Sequence, residues 1–330
     1  MIILRGGRKL GNVDEGRRGL IFGVLAYTTW GILPVYWPLL EPAGSVEILA
    51  HRIIWSLVFV AVLLAIRPRP GWWSRLREQP RSMRYLALAG GSIAINWGTY
   101  IWAVTHGHVV ESALGYYINP LVLVLAGVVV LRERLNGTQW SAVGIAGVAV
   151  AILTVDYGRP PWVALALAAS FTVYALCKKQ ASAGALESLA VETGVLFPLA
   201  LAYLGWLELT GTAAFGHAGW GNALLLASAG VATGVPLLFF AAAATRVSMT
   251  ALGIMQYIAP TLHFLLGILV FAEPMPPARW AGFCLVWLAL AVFTYDGFRR
   301  RRRLLALREN GPAPTTPGVS VEKSAGARRP

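Results

Sequence analysis

One stretch of this chain is written twice. Residues 112–157, SALGYYINPLVLVLAGVVVLRERLNGTQWSAVGIAGVAVAILTVDY, return in degenerate form at 252–297. At a constant shift of 140 and with no gap, Tyr117 falls on Tyr257, Pro120 on Pro260, Gly127 on Gly267, Glu133 on Glu273, Trp140 on Trp280 and Asp156 on Asp296. Shared apolar letters carry little weight between two lipid-facing segments, but Trp, Pro, Glu and Asp at one shift do. The same shift runs backward, pairing Glu47 with Glu187 and Gly90 with Gly230. The chain is two copies of one design.

What each copy must be follows from composition. With 57% hydrophobic and 13% charged residues among 330, the apolar surface exceeds what a soluble core hides, so the chain belongs in a bilayer. Ten apolar segments of near-spanning length can be drawn, at 19–40, 45–66, 84–104, 112–131, 138–155, 160–177, 187–208, 221–244, 249–271 and 278–296. Backbone groups in hydrocarbon must pair within the segment, which makes each a helix. The expected fold is all-α and polytopic, with ten transmembrane helices in two five-helix repeats. Five is odd, so the second copy enters the membrane inverted.

The +13 net charge would suggest nucleic acid in a soluble domain. Here the basic residues follow topology: with the N-terminus inside, 25 of the 28 Lys and Arg fall on the cytoplasmic side, leaving Arg52, Arg159 and Arg279 outside. That asymmetry predicts cytoplasmic termini and no nucleic-acid partner. The expected organisation is a basic cytoplasmic N-terminus over 1–17, with a retained first helix and no cleaved signal, repeats over 18–156 and 157–298, and a basic, disordered tail over 299–330. Cys177 and Cys284 have no metal-site spacing, and neither a metal nor another cofactor is expected.

Ionisable and amide side chains within the apolar segments mark a cavity or one another. Asn96 and Tyr100, four apart on the third segment, share a face; interhelical bonding explains Asn96 equally well. Pro34, Pro120 and Pro260 each release the carbonyl four residues back, those of Trp30, Tyr116 and Gln256, beside Tyr27, Tyr117, Asn119 and Tyr257. A packing kink is the simpler reading of the prolines. Glu192, Arg246 and His263 are candidates for coupling or gating, against structural, topological and packing roles respectively. Arg52 is expected to snorkel or bond helix ends, aided by a His51–Glu47 pair, and not to meet Glu192.

Several of these words resemble a known family: AYTTWG at 26–31, HRIIWS at 51–56, NWGTYIWAV at 96–104, ESALGYYINPL at 111–121, AAATR at 242–246 and QYIAPTLHFLL at 256–266. They are similar to the RarD family, within the EamA branch of the drug/metabolite transporter superfamily. The resemblance implies two inverted EamA units in the bacterial inner membrane, transport of a small metabolite, and a cavity surrounded by helices 1, 3, 4, 6, 8 and 9. It also carries a chloramphenicol-related label.

Secondary transport by alternating access is the leading reading, with a small solute and protons as partners and a homodimer left open. No phosphate-binding loop is present, so this chain does not drive transport with ATP by itself. A passive channel or lipid flippase would use an inverted repeat equally well. An intramembrane enzyme would require clustered nucleophiles, paired carboxylates or metal-ligand spacing, and the sequence has none.

Overall fold

The structure is a computed structural model that describes residues 7–309, apart from 68–69, 133 and 182. It is a bundle of helices: α1 (Gly7–Tyr36), α2 (Ser45–Ile66), α3 (Trp72–Arg77), α4 (Pro80–Thr105), α5 (Val109–Leu131), α6 (Gly137–Tyr157), α7 (Trp162–Gln180), α8 (Ala185–Thr210), α9 (Trp220–Ala244), α10 (Met249–Met255), α11 (Ile258–Leu269) and α12 (Pro277–Glu309). A 3-10 turn at Trp37–Leu40 follows α1. Local sequence sets several boundaries. Asn136 and Gln139 close a capping box at the start of α6, and Gly158, at φ 65°, ends it.

Nine helical stretches among the described residues are long and apolar enough to cross a membrane. The expected third segment lies in α4, which is 26 residues long but diluted by Gly90, Gly91, Ser92, Asn96, Gly98 and Thr99. Side chains such as Val129, Leu199 and Leu269 point outward with most of their surface exposed, as lipid contact requires.

Inversion is visible in the way equivalent helices pair. At the α6–α12 contact, Arg279 Nε donates to Asp156 Oδ2 at 3.0 Å at one end, and Asn136 Nδ2 donates to Asp296 Oδ2 at 2.7 Å at the other. The two therefore run antiparallel. The same holds for α5 and α11, where Gly267 meets Val110 and the Tyr117 hydroxyl lies 2.9 Å from Thr261 Oγ1. Packing also respects exchange of the halves: α1 lies on α9 as α4 lies on α7, and α1 on α11 as α5 on α7.

Of the expected 1–17 leader, residues 7–17 belong to α1, and residues 1–6 lie outside the described residues. Two expectations need correction. The tail expected to be disordered from 299 is helical to Glu309, because the RRRRRLLALRE run contains no Gly or Pro; 310–330 lie outside the described residues. The ninth segment is not one helix: it breaks at Gln256–Tyr257, between α10 and α11. The break begins four residues before Pro260, where the proline ring opposes the carbonyl of Gln256. Pro120 leaves α5 continuous from Val109 to Leu131.

Candidate functional site

A cavity of about 440 Å³ opens between the halves. Its walls come from α1 (Tyr27, Trp30, Leu33), α4 (Ile93, Asn96, Trp97, Tyr100), α5 (Tyr116, Asn119, Pro120, Leu123), α7 (Phe171, Tyr174), α9 (Thr233, Leu237, Phe240), Gln256 at the helix break and α11 (Ala259, Pro260, His263). Two further helices contribute one residue each, Arg52 from α2 and Leu189 from α8.

Of the residues singled out in the sequence, Tyr27, Trp30, Asn96, Tyr100, Tyr116, Asn119, Gln256 and His263 meet at this cavity, with Pro120 and Pro260. Asn96 is 2% exposed and its two readings coincide. Its Nδ2 donates to the Leu167 carbonyl at 2.9 Å and to Ser170 Oγ at 3.1 Å on α7, while Oδ1 faces the Tyr116 hydroxyl at 3.5 Å. It joins α4 to α7 and lines the cavity as well.

The carbonyl released by Pro34 has a partner. His263 Nε2 lies 3.1 Å from the Trp30 oxygen and 3.0 Å from the Tyr100 hydroxyl. A carbonyl only accepts, so Nε2 carries the proton there and Nδ1 presents a lone pair. One bond network thus ties the end of α1 to α11 and α4, and Tyr100 stacks on His263 with centroids 5.1 Å apart.

Other candidates lie elsewhere. Tyr117 and Tyr257 pack into the cluster that includes Phe264 and Phe283. Pro34 is buried at the end of α1. Arg246 pairs with Glu15 at 2.9 Å and donates to the Ala242 carbonyl at 2.8 Å, joining α1 to the end of α9. Glu192 is buried behind Tyr174, accepting from Lys178 Nζ at 2.8 Å and Ser188 Oγ at 2.6 Å. It lies outside the cavity wall.

Arg52 is the residue that sequence reasoning misplaced. It does not snorkel: it is 3% exposed, donates from Nε to Thr233 Oγ1 at 2.9 Å, and lies 4.0 Å above the Trp97 ring. The expected His51–Glu47 pair is absent among the described residues. Glu47 accepts from the Ala214 amide at 2.8 Å, and His51 stacks on Phe215 with neither ring nitrogen partnered. The missed signal is GVATG at 230–234, whose two glycines let α2 approach α9 closely enough for Arg52 to reach Thr233.

At one end of the bundle, carboxylates cap helices other than their own. Glu273 accepts from the Val109 and Val110 amides at the start of α5, and Glu111 accepts from the Val163 amide at the start of α7. Burial, opposed by those amides and by Arg279, pushes the Glu273 carboxyl up from 4.5 to about 7. The folded protein therefore holds this proton more tightly than the unfolded chain. Its contribution to stability is full below about pH 4.5 and is lost as pH rises through about 7. Thermal unfolding in detergent between pH 5 and 8.5 should show a loss of about 2 kcal/mol relative to Glu273→Gln; parallel pH profiles would refute the assignment.

The EamA-like transporter family model matches residues 17–155. Protein RarD of Streptomyces exfoliatus is 52% identical over 302 residues, covering 92% of this chain and 96% of that one. The chain belongs to the RarD branch of the EamA-like transporter family. Protein RarD of Escherichia coli is 39% identical over 292 residues, 88% of this chain and 99% of the relative. A crystal structure at 19% identity superposes with a TM-score of 0.54, covering 85% of this chain and 98% of the other; at that identity the likeness speaks for the fold alone. The chain is a multi-pass bacterial membrane protein of a transporter family.

Proposed function

We propose that this RarD-branch protein is a secondary transporter that moves a small solute by alternating access, with the solute held in the central cavity. The observation that carries the reading is the cavity's place: it sits where antiparallel α5 and α11 meet, against a helix broken at Gln256–Tyr257. Discontinuous helices at a repeat interface are where secondary transporters bind their solutes. The repeats, at 18–156 and 157–298, are the moving bodies, spanning the inner membrane ten times with both termini in the cytoplasm. Tyr27, Trp30, Asn96, Tyr100, Tyr116, Asn119 and Gln256 contact the solute, and His263 couples α1 to α11 during the cycle.

The test is exchange in proteoliposomes. A labelled panel of aromatic carboxylates, amino acids and chloramphenicol should contain a solute whose uptake saturates and is accelerated by preloading the vesicles with unlabelled solute. A channel gives linear flux with no acceleration. At equal abundance, Asn96→Ala should lower the saturable rate about tenfold, since the amide that joins α4 to α7 also lines the cavity. Unchanged flux in that variant would remove Asn96 from the site.

A further inference from the structure

The cavity contains a charge without a counter-charge. Arg52 is the only Lys, Arg, Asp or Glu among the residues that line it. Arg52 is 3% exposed, and its Nη1 has no hydrogen-bond partner among the described residues. Nε donates to Thr233 Oγ1, and Trp97 and Trp37 supply aromatic faces at 4.0 and 5.1 Å. Aromatic faces stabilise a cation but accept no fork of N–H bonds. Arginine stays protonated at physiological pH and presents five donors matched to a planar oxyanion. A buried ion left this way is costly unless another group completes it.

Resting on the transporter reading above, we infer that the solute is an organic carboxylate with an apolar or aromatic body, its carboxylate seated on Arg52. One guanidinium balances one negative charge. A phosphate monoester, which approaches two negative charges at neutral pH, would leave one unmatched. No carboxylate lines the wall to receive an ammonium group. The aromatic corner formed by Tyr27, Trp30 and Phe240, with centroids 5.5 to 6.1 Å apart, suits the apolar body. His263 Nδ1 and Asn119 Oδ1, both buried and without a partner among the described residues, are acceptors for a hydroxyl or amide donor on the solute.

The full chain in lipid nanodiscs should be titrated with 3-phenylpropionate, 3-phenylpropionamide, phenethylammonium and phenyl phosphate. The carboxylate should bind saturably and the other three at least about tenfold more weakly. Arg52→Gln should weaken carboxylate binding by at least about tenfold, and Arg52→Lys by less. Without solute, Arg52→Gln should unfold about 2 °C or more above wild type, because it removes an uncompensated buried cation. Equal binding of the amide, preference for the ammonium or the phosphate, no binding of the carboxylate, or a lower unfolding temperature in Arg52→Gln would each overturn the assignment. Arg52-dependent binding with linear, non-exchanging flux would remove the transporter reading and leave the carboxylate site standing. Saturable exchange of the neutral amide that ignores Arg52→Gln would do the reverse.

Discussion

Arg159→Ala should destabilise the folded protein by about 3 kcal/mol, although Arg159 is one-third exposed. The reason lies in its partner. Glu111 is 1% exposed and receives Arg159 Nη2 at 2.8 Å, Nη1 at 3.3 Å and the Val163 amide at 3.0 Å. Removing the guanidinium leaves a carboxylate buried with one backbone donor. His108, 3.7 Å away, is a weaker partner, because burial disfavours the charged form of its ring. Adding Glu111→Gln to Arg159→Ala should restore about half of the loss, because a neutral amide can still accept from the Val163 amide. Thermal unfolding of the single and double variants in detergent measures the coupling, and additive losses would show that no charge is stranded.

The two-copy architecture was legible because matched Pro, Trp, Glu and Asp at one shift survive where apolar letters drift, and an odd helix number per copy required inversion. The structure expresses this as antiparallel α6 and α12, with Asp156 and Asp296 each reaching the start of the other's helix. The fate of the prolines was less legible. Pro120 and Pro260 obey one steric rule, yet α5 continues through its proline while the ninth segment breaks at Gln256–Tyr257. Whether a released carbonyl ends a helix depends on what else can bond it. For Trp30 the partner is His263, 233 residues away, and nothing local to Pro34 announces it.

Arg52 shows the same limit from the side of charge. Counting cations by loop placed it with Arg159 and Arg279 on the outer side, and those two do pair with Glu111 and Asp156 at one end of the bundle. Arg52 is turned inward by residues distant in sequence, Trp97 on α4 and Thr233 on α9. A polar-in-apolar scan detects that such a residue needs partners. It does not say whether the partners are protein, water or solute, and so some amides and aromatics of the cavity were singled out, while Trp97, Phe171, Tyr174 and Phe240 were missed and its one charge was placed toward the outer side.

Gly230→Ala should be the most damaging single methyl in the bundle. A Cβ built on Gly230 overlaps the Trp55 carbonyl of α2, which is backbone and cannot rotate aside. The equivalent Gly90 on α4 would bring its Cβ to 2.9 Å from the Glu192 carbonyl of α8, a milder conflict at the symmetry-related contact. The expected order is therefore a loss of about 3 kcal/mol or more for Gly230→Ala and about 1–2 kcal/mol for Gly90→Ala, read as unfolding temperature and abundance in the membrane. The two should also differ in kind. Separating α2 from α9 moves Arg52 off Thr233, three residues beyond Gly230, so the Gly230 variant should lose carboxylate binding in the fraction that remains folded. Gly90→Ala acts at a contact that holds Glu192, outside the cavity wall, and should retain binding when rescued to equal abundance. Equal unfolding temperatures for the two variants would mean that α2 and α9 do not approach as closely as the Gly230 contact requires, and with that the means of holding Arg52 inside the cavity would go.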